Sequence, residues 1–206
     1  MGYYQGINDN SDQVMDIRGT SLAPGETGNS VVMYGGNDIV YGSSYNDIIQ
    51  GGYGNDLLYG YDGNDFLAGQ AGNDTLYGGN GGDSLYGGTG NDFLNGQAGT
   101  DGLYGGAGND TYRHDYNSGI DYINDNQTET GQQGSGGGVS DTLEMNSLSI
   151  YDLLLYRDNN DLIVTSTYDI ADGFINDAVV IQNHYLGGDY RIELIATYDG
   201  SATMPA

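Results

Sequence analysis

Large aliphatic residues recur every nine positions through the middle of the chain. They are Val40, Ile49, Leu58, Leu67, Leu76, Leu85, Leu94 and Leu103, and Tyr112 takes the ninth place. Each stands at the centre of a triplet long enough for a short strand, in which the central side chain points to one face. Six residues rich in glycine and asparagine separate successive triplets and favour tight turns. The pattern therefore predicts an all-β structure with one core side chain per strand.

Aspartate and glycine keep the same period of nine residues. Aspartate precedes each core residue by two positions, at Asp38, Asp47, Asp56, Asp65, Asp74, Asp83, Asp92, Asp101 and Asp110. A glycine follows each of the first eight aspartates by four positions, and glycine accepts the positive φ of sharp turns without strain. Two units then complete a coil of 18 residues, which places alternate units in two stacked parallel sheets.

This coil brings each aspartate beside the aspartate 18 residues later, because neighbouring strands lie about 4.8 Å apart. Two carboxylates at that spacing repel each other unless a cation lies between them. Ca²⁺ accepts about six to eight oxygen ligands in irregular geometry, whereas Mg²⁺ requires a tighter octahedron. We therefore expect about seven shared calcium sites, between the pairs 38/56, 47/65, 56/74, 65/83, 74/92, 83/101 and 92/110.

The consensus of these units is Gly-Gly-x-Gly-x-Asp-x-U-x, where U is a large aliphatic residue. It resembles the calcium-binding nonapeptide of the RTX (repeats-in-toxin) family of exported bacterial proteins, and the similarity covers residues 36–113. Tyr45 and Gly82 depart from the consensus glycine and asparagine. The resemblance implies a right-handed parallel β-roll, which is a β-solenoid. It also implies that carbonyl groups of the turns complete the metal sites, namely those of Gly51, Gly54, Gly69, Gly72, Gly78, Gly81, Gly87, Gly90, Gly96, Gly99, Gly105 and Gly108.

The large negative charge of the chain favours bound cations. Asp and Glu number 29 and Lys and Arg only 4, so the formal net charge is −25. Such a chain repels nucleic-acid phosphates, and the absence of cysteine excludes disulfide scaffolds and thiolate zinc sites. Apolar runs of about four residues are too short to span a bilayer. We expect folding to require calcium, since so thin a core cannot offset the loss of backbone entropy.

The sequence divides into three segments. Residues 1–35 form an N-terminal flank without a period, apart from a faded first repeat at Asn29 and Val31. Residues 36–113 form the roll, and residues 114–206 form a β-rich C-terminal cap. Within the cap, apolar runs predict strands at 162–165, 178–181 and 192–196, a capping box at 149–152 predicts a short helix, and polar residues 126–140 predict a mobile loop.

The cap also contains candidate metal ligands. Residues 119–123 and 140–143 resemble further half-coils, so Asp121, Asp125 and Asp141 are either calcium ligands or plain turn residues. His114 and His184 are the two histidines of the chain. We expect His114 to lie in a loop rather than to act with Asp115 as an acid–base pair, and His184 to pack.

Tyrosines 18 residues apart are expected to stack on the outer faces: Tyr41, Tyr59 and Tyr77 on one sheet, and Tyr86 and Tyr104 on the other. Such a row stabilises a sheet, or it offers a flat platform to a carbohydrate or a protein partner. The RTX resemblance implies a secreted or cell-surface bacterial location and export by a type I secretion apparatus. We expect a module that is not an enzyme and that folds on extracellular calcium as part of a larger protein. The alternatives are a ligand-binding segment of an adhesin and the accessory module of an exported protease, lipase or polysaccharide epimerase.

Overall fold

The computed structural model describes residues 1–6, 10–24, 26–115, 118–125, 141–145, 152–166, 177–182, 194–197 and 200–203. No helix in this part of the chain is long and apolar enough to cross a membrane. The strands are β1 (Gly2–Gln5), β2 (Val14–Asp16), β3 (Asn29–Val32), β4 (Ile39–Ser43), β5 (Ile48–Tyr53), β6 (Leu57–Asp62), β7 (Phe66–Ala71), β8 (Thr75–Gly81), β9 (Ser84–Thr89), β10 (Phe93–Gly99), β11 (Gly102–Ala107), β12 (Thr111–Arg113), β13 (Ile120–Ile123), β14 (Thr142–Met145), β15 (Leu153–Asp158), β16 (Asp161–Ser166), β17 (Ala178–Ile181), β18 (Leu194–Thr197) and β19 (Gly200–Thr203).

The strands form two sheets with the orders β1-β3-β5-β7-β9-β11-β13-β17-β16-β15 and β19-β18-β14-β12-β10-β8-β6-β4-β2. From β1 to β14, each pair of neighbours is parallel and lies two strands apart along the chain. The chain therefore alternates between the sheets strand by strand. This confirms the predicted all-β parallel roll.

The register confirms the predicted coil of two units. Leu58 pairs with Leu76, and Leu76 pairs with Leu94, on one sheet. On the other sheet Leu67 pairs with Leu85. The repeated aliphatic side chains are fully buried and form one continuous apolar column between the sheets. Because only one large side chain per unit enters this column, apolar burial is a small part of what each unit needs to stay folded.

Both sheets continue into the N-terminal flank. Val31 of the faded repeat is buried and pairs with Ile49. Two further strands lie where the sequence shows no period: Tyr4 of β1 pairs with Val31, and Met15 of β2 pairs with Val40. These strands join through backbone hydrogen bonds, which do not require a repeated side chain.

Antiparallel strands end both sheets at the C-terminal side. β13 and β14 continue the parallel ladders at the two predicted half-coils, and β16, β17 and β18 overlap the predicted cap strands. β15, β16 and β17 then pair antiparallel, as do β18 and β19.

The short helix predicted at 149–152 is not seen. Asp152 lies in a turn and β15 follows directly, while residues 149–151 fall outside the described residues. Pairing with β16 outweighs the local capping signal here, because β15 gains a full antiparallel ladder from Leu153 to Asp158. The loop predicted at 126–140 also lies outside the described residues.

Candidate metal centre

The repeat aspartates form two ladders along the turns. One ladder contains Asp38, Asp56, Asp74, Asp92 and Asp110, and the other contains Asp47, Asp65, Asp83 and Asp101. In both ladders the backbone N–H of one aspartate donates to Oδ1 of the aspartate one coil later, over 2.7–2.8 Å. The 18-residue register therefore holds one oxygen of each carboxylate in a fixed position.

An asparagine precedes seven of the nine repeat aspartates and makes a second ladder that runs the other way. The backbone N–H of Asn55 donates to Oδ1 of Asn37 over 2.8 Å, and Asn73 donates to Asn55 over 2.7 Å. The same contact joins Asn91 to Asn73 and Asn109 to Asn91. The sequence analysis gave this asparagine no role, although it follows the same nine-residue period.

The second carboxylate oxygen of seven repeat aspartates faces the turn and is buried. Among the described residues no donor reaches Oδ2 of the aspartates Asp56, Asp65, Asp74, Asp83, Asp92, Asp101 and Asp110. These side chains are 1–3% exposed, so water does not solvate them freely. A buried carboxylate oxygen with no donor costs considerable free energy unless a cation compensates it.

The glycine five residues before each aspartate leaves room for that oxygen. An added Cβ on Gly60 would lie 2.3 Å from Oδ2 of Asp65 and 2.5 Å from the carbonyl oxygen of Gly78. On Gly78, it would lie 2.4 Å from Oδ2 of Asp83 and 2.7 Å from the carbonyl oxygen of Gly96. A carboxylate and a carbonyl thus converge beside each of these glycines, which explains why no larger residue occupies this position.

A second set of glycines makes the turns tight. Gly54 has φ +123° and Gly72 has φ +139°, a region that favours glycine. An added Cβ on Gly72 would lie 1.8 Å from the carbonyl oxygen of Gly54, so successive turns stack backbone against backbone. Of the predicted glycine ligands, Gly54, Gly72, Gly81, Gly90, Gly99 and Gly108 belong to this set, and Gly51, Gly69, Gly78, Gly87, Gly96 and Gly105 lie beside carboxylates.

Gly42 and Gly60 obey the same period but lie outside the set of glycine ligands that the RTX resemblance implies. An added Cβ on Gly42 would lie 2.4 Å from the carbonyl oxygen of Gly60 and 3.1 Å from Oδ2 of Asp47. Gly60 also contacts Asp65, as described above. Both glycines therefore belong to the same surroundings as the predicted set.

Burial raises the pKa of these carboxyls, while the hydrogen bond from the preceding coil partly opposes the increase. The pKa reaches about 6 for Asp56 and Asp83, about 7 for Asp74, Asp101 and Asp110, and about 8 for Asp65 and Asp92. Neighbouring aspartates add repulsion, as Asp83 and Asp47 do at Asp65. Without a cation, these ladders therefore tend to hold protons near neutral pH.

These surroundings fit a hard cation. Buried carboxylate and carbonyl oxygens are the ligands that Ca²⁺ takes in proteins, in flexible geometry. Zinc and copper prefer nitrogen or sulfur ligands, which the turns of the array do not contain. Pairs of aspartates 18 residues apart could therefore hold calcium together with carbonyl groups of the turns.

Asp47, at the N-terminal end of its ladder, differs from the other predicted ligands. Its Oδ2 accepts hydrogen bonds from the backbone N–H of Ser43 over 2.7 Å and from the Ser43 hydroxyl over 2.8 Å. Its Oδ1 accepts from the backbone and side chain of Asn29 over 3.1 and 2.8 Å. Protein donors therefore solvate this carboxylate, which makes Asp47 the weakest candidate for a cation in the array.

Asp121 lies beside Asp101, because Gly102 pairs with Tyr122, and it contacts a histidine. His114 lies in the loop that follows β12 but is only 3% exposed, and its Nδ1 lies 2.7 Å from Oδ2 of Asp121. Its Nε2 lies 3.0 Å from Oδ1 of Asp177 in the cap. Burial disfavours the charged ring, but these two hydrogen bonds outweigh it and raise the pKa of His114 to about 9. The sequence could not reveal this contact, because Asp177 is 63 residues away.

The other ladder reaches Asp141. The backbone N–H of Asp110 donates to Oδ1 of Asp141 over 2.8 Å, as in the array, although the separation is 31 residues. Oxygen atoms of Asp110, Asp125 and Asp141 lie within 4.8 Å of one another, and all three side chains are buried. The structure therefore brings Asp141 and Asp125 to the end of the repeat ladder.

Tyrosines cover the outer faces of the sheets as predicted. The ring centroid of Tyr59 lies 5.4 Å from that of Tyr41 and 5.1 Å from that of Tyr77, and the ring planes are nearly parallel. Tyr86 and Tyr104 stack at 4.4 Å on the other sheet. Stacking at this spacing stabilises neighbouring strands, whether or not the rings also bind a ligand.

Comparison with known protein families agrees with this geometry. The family described as RTX calcium-binding nonapeptide repeat (4 copies) matches residues 34–67, 41–76 and 77–112. No curated protein matches the chain. The matched residues contain both the aspartate ladders and the glycine turns described above. Residues 34–112 therefore contain several copies of the RTX calcium-binding nonapeptide repeat, which supports a calcium-binding module.

Proposed function

We propose that this module folds when it binds extracellular calcium, as part of a larger bacterial protein exported by type I secretion. Residues 36–113 are the calcium-binding roll, residues 1–35 are its N-terminal flank, and residues 114–206 cap its C-terminal side. The row of buried Oδ2 atoms that no donor reaches in the described part of the chain carries the proposal. It supports a folded state that calcium completes, because those oxygens are costly to bury uncompensated.

Calcium acts here as the switch for folding. Without it, like charges crowd two ladders and the thin core cannot hold the coils together. About seven Ca²⁺ ions would reduce the formal net charge from −25 to roughly −11. Cytosolic calcium is too low to fill such sites, so the chain stays unfolded before export, and millimolar extracellular calcium folds it afterwards.

Circular dichroism and ion counting on the full chain test the proposal. We expect a largely unfolded spectrum in EDTA at pH 7.5, and a sheet spectrum in millimolar CaCl₂ with about seven bound ions by equilibrium dialysis. MgCl₂ at the same concentration is the control and is expected to restore little sheet. A sheet-rich chain after exhaustive chelation, with no bound ion left, would overturn the proposal.

We propose no catalytic role for the module. His114 is buried with both ring nitrogens engaged by carboxylates, which suits a structural contact rather than proton transfer to a substrate. Any enzymatic activity then belongs to other parts of the larger protein.

A second function, ligand binding in an adhesin, is favoured by the row of Tyr41, Tyr59 and Tyr77. Flat aromatic rings suit the apolar faces of sugars and the side chains of a protein partner. A glycan array with and without calcium tests it. Retention that disappears in Tyr59→Ala and Tyr77→Ala, while the calcium-bound spectrum is unchanged, would support this function, and no retention by the wild-type chain would exclude glycans.

A further inference from the structure

The ladder of Asp110 ends in a cluster that the repeat does not generate. Oxygen atoms of Asp110, Asp125 and Asp141 lie within 4.8 Å of one another. Within the array, each junction contributes two aspartates one coil apart, whereas this junction contributes three. The third one, Asp125, lies outside the nine-residue period.

Asp125 occupies the place that glycine takes in the array. Leu103 pairs with Ile123, so the position two residues further along places Asp125 over Gly105. The hydrogen bond from the backbone N–H of Gly106 to the carbonyl oxygen of Asp125, 2.9 Å long, agrees with this register. In the array, the glycine in this position leaves room for the carboxylate of the following aspartate. Here a second carboxylate enters the same space.

Tyr112 positions Asp125. It takes the place of the repeated leucine and is fully buried, and its hydroxyl accepts a hydrogen bond from the backbone N–H of Gly105 over 2.8 Å. The same hydroxyl donates to Oδ1 of Asp125. A phenol in this column thus holds one oxygen of Asp125 and leaves the other directed into the cluster.

Two further oxygens of the cluster are deeply buried. Among the described residues, no hydrogen-bond donor reaches Oδ2 of Asp125 or Oδ2 of Asp110, and the two side chains are 0% and 1% exposed. Burial first, and then the charge of Asp141, raise the pKa of Asp125 to about 9. Three such carboxyls can be ionised together only around a cation.

We propose that Asp110, Asp125 and Asp141 form a three-carboxylate calcium site that closes the roll and differs from the sites of the array. The proposal rests on the proposed function, since it assumes that the array binds calcium. A site with more carboxylate ligands binds Ca²⁺ more tightly, so this site fills first as calcium rises and empties last in chelator. It also ties β14, which begins directly after Asp141, to the last repeat.

Calcium titration of Asp125→Asn in the full chain tests the site. We expect the variant to bind one ion fewer than the wild-type chain by equilibrium dialysis, to lose the tightest class of binding, and to melt at a lower temperature in calcium. Asp115→Asn is the matched control, because Asp115 is partly exposed and pairs with Arg113 outside the cluster. It should keep the wild-type ion count.

The opposite sign would overturn the site. If no ion binds there, removing one of three crowded carboxyls relieves repulsion, and Asp125→Asn would melt at a higher temperature with an unchanged ion count. Asp74→Asn separates this failure from failure of the proposed function. A loss of ions in Asp74→Asn but not in Asp125→Asn would overturn the terminal site alone, whereas no calcium binding by the wild-type chain would overturn both.

A second variant decides the case in which Asp125→Asn does not fold. Tyr112→Phe retains all three carboxylates and removes only the hydroxyl that holds Asp125. We expect the full ion count, with the tightest class weakened at least tenfold and the other classes unchanged. An unaltered tightest class in this variant would overturn the site.

Discussion

Replacing Asp74 by asparagine tests the ladder at its centre. Asp74 accepts the backbone N–H of Asp56 over 2.7 Å and donates its own to Asp92 over 2.8 Å, so it belongs to two successive junctions. Asparagine retains an oxygen for the first contact. It replaces the charged Oδ2, which no described donor reaches, with an NH₂ group that cannot bind a cation.

The expected loss in calcium is large. Each ion present at 100 times its dissociation constant stabilises the folded state by about 2.7 kcal/mol, so loss of two shared ions removes about 5.4 kcal/mol. That is comparable with the whole stability of an ordinary domain, roughly 5–15 kcal/mol. In chelator the sign is reversed. A carboxyl whose pKa burial raises to about 7 disfavours folding at pH 8, and its removal stabilises the ion-free fold by about 1–2 kcal/mol after solvent screening.

The assay is a calcium titration followed by circular dichroism, together with equilibrium dialysis. We expect Asp74→Asn to need a clearly higher calcium concentration to fold and to bind two ions fewer. The matched control is Asp62→Asn, since Asp62 is exposed and hydrogen-bonds only Asn80 among the described residues. Equal folding midpoints and ion counts for the two variants would refute the role of the ladder.

Three further changes test the surroundings of the ladders. Gly60→Ala places a methyl group 2.3 Å from Oδ2 of Asp65. We therefore expect weaker calcium binding and a free energy of unfolding that is lower by about 1–3 kcal/mol, measured by thermal melting. Gly82→Ala is the control and should behave as wild type, since the nearest atom to its added Cβ is 3.3 Å away. Folded carboxyls with pKa values of about 6–8 favour the ion-free fold at low pH and destabilise it as pH rises through that range. In EDTA we therefore expect the sheet content to increase as the pH falls from 8 to 4.5. In calcium, the calcium concentration at the folding midpoint should rise roughly tenfold from pH 7.5 to pH 5.5, because protons compete with the ion. An ion-free spectrum that does not depend on pH would contradict the burial of these carboxyls. His114→Ala removes the ring that contacts the buried carboxylates of Asp121 and Asp177, so we expect a loss of about 3–5 kcal/mol and faster proteolysis of the cap. An unchanged cleavage rate would show that this contact does not hold the cap.

The regular part of the molecule was predictable because one period sets every level of its structure. The spacing of Leu58 and Leu76 gives the register, and the same spacing sets the stacking of Tyr59 on Tyr77 and of Asp56 on Asp74. In such a roll each coil contacts only its neighbours, so local sequence is sufficient.

Other parts depend on contacts that no period encodes. The coil that leads to the half-coil at Asp121 is two residues longer than the others, because Leu103 pairs with Ile123, 20 residues further along instead of 18. The sequence alone therefore does not predict that Asp125 takes a glycine position of the array; the pairing of the strands shows it. The helix expected at 149–152 rested on a local capping pattern, which says nothing about the antiparallel partner that β15 finds in β16.

The repeat that contains Gly82 is expected to be the weakest point of the roll under mechanical load. At most junctions in the array, the aspartate contact and the oppositely directed asparagine contact together clasp two coils. Gly82 replaces the asparagine of its unit and has no side chain that could accept the backbone N–H of Thr100. At this junction the aspartate contact between Asp83 and Asp101 therefore remains without the asparagine contact. If the two ends of the roll were pulled apart, we would expect the first rupture there, and Gly82→Asn should raise the force at which it occurs.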